Sequence, residues 1–242
     1  MDERKKTGAG KEPGTRKGGR EETTPDDVPL AVRLLHGQIW LIIFILVIIV
    51  ILVVPLVYHS WQSAHVLQEN KYNGFDFIEE SRGELTLWVT QLAVGGQTYN
   101  IPFYHHPRET ESVVMQQGIT DRFLSENGRP SLIYITIPPD GGSYPVVGGV
   151  EISRLTGFKY GLLNIETKSA LQHAVPDVQT PVVTCADATN TTAVLSFEPG
   201  ANNLILEDQA NPNCIRLIYR DENSSILVAD RFAYGLLRVM AG

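Results

Sequence analysis

From position 39 to position 57 the chain runs through nineteen apolar residues without a charged, amide or hydroxyl side chain. At ~1.5 Å of rise per residue this run makes a helix of roughly 28 Å, close to the ~30 Å hydrocarbon core of a bilayer. Lipid offers no partner for backbone N–H and C=O groups, so a lone segment satisfies them only as a helix. Trp40 at one end, with Tyr58 and Trp61 at the other, places amphipathic rings at headgroup depth. The pattern predicts a transmembrane span.

Residues 1–28 hold almost nothing apolar to bury and are expected to be disordered. Asp26, Asp27 and Pro29 then form a helix start, carboxylate acceptors followed by an imino group that wastes no donor. The helix is expected over 29–70, with the span inside it and Pro55 near its outer end.

Downstream of residue 75 the pattern becomes that of a globular domain, expected over 75–242. Leu85, Leu87 and Val89 alternate with polar positions over 84–94. Gly95-Gly96 supplies a two-residue turn, and 97–104 returns as the partner strand. Residues 109–117 are expected as a short helix ended by Gly118. A buried strand is expected over 132–137, a helix over 145–155 ended by Gly157, and a further strand over 160–165. Short β-rich runs follow at 181–185, 193–197, 204–207 and 214–219, separated by Asp, Asn, Pro and Gly. Ser224 and Ser225 are expected to cap a last helix, 226–240, so apolar that it must be packed against a sheet. The expected fold is α/β or α+β: one N-terminal transmembrane helix, then a single mixed-sheet globular domain with a packed C-terminal helix.

Charge gives the span a direction. Eight Lys/Arg precede it within residues 1–37, whereas 58–77 contain only Lys71. Basic residues stay in the cytoplasm, so the N-terminus is expected inside and the C-terminal domain outside. The apolar run exceeds a secretory signal's 7–15 residues and no small-x-small cleavage pattern follows it, which reads as an uncleaved signal anchor. Beyond the span, twelve Lys/Arg face twenty Asp/Glu, a net charge of −8 and a poor footprint for nucleic acid.

Cys185 and Cys214 are the two cysteines of the chain and both fall in the outward domain. An even pair in an oxidising compartment is expected to form a disulfide, and neither has Cys-x-x-Cys spacing. Asn190-Thr191-Thr192 and Asn223-Ser224-Ser225 are glycosylation sequons at turns, so Asn190 and Asn223 are the candidate attachment sites.

Candidate chemistry centres on His105-His106-Pro107-Arg108-Glu109. Histidine beside carboxylate serves as metal ligand or as acid and base. Adjacent residues of a strand point to opposite sides, however, and the i, i+4 pair of a helical metal site is missing. The plainer reading is a strand end from which Pro107 starts a capped helix. Gly148-Gly149 falls inside an expected helix without phosphate-loop spacing, and Gly142-Ser143-Tyr144 is no nucleophile elbow. Asp187 and Asp230 read as isolated acids. The sequence therefore assigns no catalytic, cofactor-binding or metal-ligating residue.

The ending from Cys214 to Met240, CIRLIYRDENSSILVADRFAYGLLRVM, resembles the strand-then-helix ending of archaeal cell-surface proteins with surface-layer-type domains. That resemblance implies an extracytoplasmic, non-enzymatic protein and carries over no functional residue. The expectation is a membrane-tethered binding or structural module of the cell surface or envelope. Its partners would be the bilayer, through 39–57, and a protein or envelope component, without a cofactor. The alternative is a membrane-anchored hydrolase whose residues meet only in the fold. A histidine of the 105–106 pair within hydrogen-bond reach of a carboxylate favours that alternative.

Overall fold

The computed structural model describes residues 40–58, 70–125 and 128–241. The tail expected over 1–28, the ends of the helix expected over 29–70, and Trp61 lie outside the described residues. Two compact units result, Met1–Trp61 and Gln62–Gly242. In the first, α1 (Trp40–Tyr58) is one unbroken apolar helix with exposed side chains, long and apolar enough to cross a membrane.

The second unit is a mixed α/β structure built on two sheets. In chain order it contains β1 (Lys71–Tyr72), β2 (Phe75–Arg82), β3 (Leu85–Val94), β4 (Gln97–Phe103), α2 (Pro107–Thr110), β5 (Val114–Met115) and α3 (Asp121–Leu124). Then come β6 (Leu132–Ile137), α4 (Tyr144–Thr156), β7 (Glu166–Leu171), β8 (Thr192–Pro199), β9 (Leu204–Glu207), β10 (Cys214–Tyr219) and α5 (Ser224–Leu236). Strands β1 to β4 make an antiparallel meander. The other six form a mixed sheet in the order β5-β9-β10-β8-β6-β7, in which β6, β7, β8 and β10 are mutually parallel.

Helix α5 joins the two sheets. Val228, Ala229, Phe232 and Leu236 enter the core of the six-stranded sheet, with Ile133, Leu195, Phe197 and Ile215. Ala233 and Tyr234 enter a second core, with Phe77, Ile101 and Phe103 of the meander. A helix sandwiched in this way has no solvent face, and that is why its sequence is apolar nearly all round. Helix α4 lies beside it through Gly148 and against β6 through Gly149. A Cβ on Gly148 would stand 3.0 Å from the Ala229 Cβ, and one on Gly149 would stand 3.1 Å from Ile135 Cγ2. The glycine pair therefore serves close packing.

Four expectations need correction. The helix expected over 109–117 ends after one turn, because the Val114 and Gln116 N–H groups donate to Asn203 and Ile205 carbonyls and draw the chain into β5. Residues 160–165 form no strand. Gly161 and Asn164 take left-handed φ values of 65° and 53°, and pairing starts only at Glu166. Residues 181–185 make a single bridge, Val182 to Leu171, before a 3₁₀ turn at Cys185–Asp187 whose Thr184 and Asp187 cap each other. Ser224 and Ser225 are not caps: they lie in the first turn of α5, with hydroxyls donating to the Asp221 and Glu222 carbonyls. Strand β2, in turn, supplies a partner for β3 where the sequence reading had placed none.

Candidate functional site

The parallel strands β6, β8 and β10 send their carboxyl ends to one edge of the sheet. There the chain passes from β6 through α4 to β7 on one side, whereas β8 and β10 lie on the other side of β6. The carboxyl ends of parallel strands are the usual ligand position in open α/β sheets. At this edge a cleft of about 650 Å³ opens between the loop after β8, the loop after β10 and the link from β4 to β5. Its polar lining comes chiefly from His105, Asn202, Asn203, Arg220, Asn223 and Ser224.

Short-range bonds fix this lining. The Arg220 N–H donates to the Asn203 side-chain oxygen at 2.8 Å. Asp221 accepts the Ser224 N–H at 3.0 Å, and its own N–H donates to the Ser224 hydroxyl at 3.0 Å. The Ser224 N–H, with Arg220 adding to it, holds the exposed Asp221 carboxyl below its ordinary range. The neighbouring turn of residues 140–143 is seated by Gly142, at φ +74°, where a Cβ would lie 2.6 Å from the Glu222 carboxylate.

At the cleft wall the His105 Nδ1 lies 2.8 Å from Oδ2 of Asp230, and the same oxygen accepts the His105 backbone N–H at 2.9 Å. Tyr234 donates its hydroxyl to the His105 carbonyl at 2.6 Å. Three contacts from one face of α5 therefore pin a single residue that follows β4. Asp230 is fully buried, and burial pushes its carboxyl above the ordinary range against the pull of His105. Its second oxygen, Oδ1, has no hydrogen-bond partner among the described residues. The reading of Asp230 as an isolated acid is thus overturned, since its partner stands 125 residues away in sequence.

His106 takes the opposite direction. It is buried against the rings of Tyr72, Phe77 and Trp88, and its Nδ1 accepts the Arg108 N–H as the cap of α2. Glu109 completes the box by accepting the His106 N–H at 2.7 Å. Burial, with Arg108 adding to it, pushes the His106 imidazole below its ordinary pKa.

Cys185 and Cys214 lie at disulfide distance, with Cα atoms 5.1 Å apart. Asn190 is exposed in the turn before β8. Asn223 is exposed at the cleft rim, while the Ser225 of its sequon is wholly buried. No group of three metal-ligating side chains converges among the described residues. Sequence reasoning missed Asn202, Asn203, Arg220 and Asp230. A usable signal was Asp230 itself, a carboxylate inside a helix with no other acid and no solvent face. No family model matches the chain, and neither a curated protein nor a solved structure gives a match.

Proposed function

We propose that this chain is a membrane-tethered binding module of the cell surface or envelope, which takes its ligand in the cleft at the carboxyl edge of the six-stranded sheet. In this reading α1 is a single-pass anchor, the N-terminus is cytoplasmic and the α/β unit is outside. The observation that carries the binding role is the cleft itself. Amide, hydroxyl and guanidinium groups converge there on loops held by their own hydrogen bonds, so they meet a ligand with little ordering cost. The apolar α1, the basic excess before it and the cysteine pair at disulfide distance support the location. Asn190 is the better glycosylation candidate, because its sequon is open where that of Asn223 is locked into a helix turn.

The test is recovery of partners from native membranes with the full chain. The wild type is expected to retain an envelope component that an Asn202→Ala, Arg220→Ala variant of equal thermal stability releases. Equal recovery by both proteins would remove the cleft from the function.

The His105–Asp230 pair favours a second reading, a tethered hydrolase. A buried carboxylate on Nδ1 orients an imidazole as it does in a general base. No hydroxyl or thiol among the described residues is hydrogen-bonded to the ring, so a base acting on water is the form this reading takes. Hydrolysis of an envelope ester or amide that disappears in His105→Gln would establish it. The binding reading instead expects His105→Gln to weaken ligand retention without any turnover to lose.

A further inference from the structure

The six-stranded sheet ends at β7, whose outer edge is covered at Leu171 by residues 181–183 and is open at Thr167 and Ser169. Leu171 shows which backbone groups face outward: its N–H donates to the Pro181 carbonyl and its C=O accepts from Val183, both on the side away from β6. Strand periodicity directs Thr167 and Ser169 the same way. Their outward N–H and C=O groups have no partner among the described residues. Beside this edge α4 leaves Val146 and Val150, four residues apart and therefore on one helix face, exposed. Between helix and strand runs a groove of about 300 Å³ lined by these valines, Ile135, Ile137, Thr167 and Ser169.

We propose that this edge is a two-fold interface in which β7 pairs antiparallel with β7 of a second copy of the chain. Charge complementarity selects the occupant and the register. Glu166 and Lys168 flank Thr167 on one strand face, exposed and 2.8 Å apart in an ion pair of their own, which the second copy would extend into a four-charge cluster. With Thr167 opposite Thr167 of the second copy, each Glu166 faces a Lys168 across the junction, giving two opposite-charge cross-strand pairs. Slipping the register by two residues to the next pairing sets Lys168 against Lys168, which charge opposes. A strand that presents both signs symmetrically about its open hydrogen-bonding residue is complementary to itself, as a two-fold interface requires. The same operation extends the sheet past β7 and brings the two α4 helices side by side, so that Val146 and Val150 of each copy cover the groove. This satisfies the open donor and acceptor of Thr167, unpaired edge groups being a common liability of exposed strands.

The interface does not depend on the cleft, so its test leaves the binding proposal untouched. In membranes containing the full-length protein, Thr167→Cys is expected to form a disulfide-linked dimer under mild oxidation. Residues opposed in a hydrogen-bonded antiparallel pair have Cα atoms ~5.5 Å apart, within disulfide range. Gln97→Cys, exposed on the meander, is the control and should stay monomeric. Sedimentation of the full chain in detergent supplies the second measurement. Lys168→Glu should weaken self-association on the order of tenfold, and the exchanged pair Glu166→Lys, Lys168→Glu should restore it. Restoration separates a broken interface from a broken fold. A wild type that remains monomeric in detergent with no Thr167→Cys product in membranes overturns the proposal. Equal cross-linking at residues 167 and 97, or an exchanged pair as weak as the single variant, does so too.

Discussion

At the scale of single residues, the neighbouring histidines show how one dipeptide is divided between two environments. His105 turns to a buried carboxylate at the cleft wall, whereas His106 turns into an aromatic cage and caps a helix. The sign of the pH effect at His106 follows from its depressed folded-state pKa. Below the ordinary histidine pKa of ~6.5 the unfolded chain takes up a proton that the folded chain resists. The stabilising contribution of the neutral, buried ring is therefore fully present above that value and is lost as pH falls from it through the lower folded-state pKa. Arg108 reinforces this shift, while Glu109 and Glu111 oppose it. His106→Asn keeps a cap acceptor and removes the titration. Its urea midpoint is expected to fall less than that of the wild type between pH 7 and pH 5. An unchanged pH profile would show that His106 does not contribute. Glycan attachment separates two other residues: in protein from its native membrane, Asn190→Gln should remove any attached glycan mass and Asn223→Gln should leave it.

Elements whose pattern is decided locally were legible in the sequence. The hairpin of β3 and β4 follows from alternation on either side of Gly95-Gly96, and α4 and β6 follow from period and length. The failures are places where a distant segment competes for the backbone. Residues after α2 have helical composition, yet the Asn203 and Ile205 carbonyls take their N–H groups. The cleft was illegible for the same reason, since its residues come from loops about ninety to 120 positions apart that meet only when β5 and β9 pair. The contact of α4 with α5 gives a direct check on the packing. Gly148→Val would force α4 away from Ala229 and Phe197, and overpacking of this kind typically costs ~1–3 kcal/mol. A chemical-denaturation midpoint within error of wild type would show that this seam is looser than the distances indicate.

At the scale of the whole molecule, compartment and stability are linked through Cys185 and Cys214. Their bond would close a loop across a sequence separation of 29 residues, between the 3₁₀ turn and the start of β10. On the chain-entropy account such a closure stabilises by about 3–4 kcal/mol. For a unit of this size, reduction is then expected to lower the melting temperature on the order of 10 °C. Two freely alkylated thiols in protein taken from its native membrane would contradict both the bond and the oxidising compartment. The most direct test of the proposed arrangement is therefore sidedness, read in sealed cells with a membrane-impermeant maleimide. With the native cysteines bonded, Asn202→Cys at the cleft should be labelled and Thr7→Cys in the N-terminal tail should be labelled only after lysis. Labelling of Thr7→Cys in intact cells, with Asn202→Cys protected, would contradict an outward-facing, membrane-tethered module.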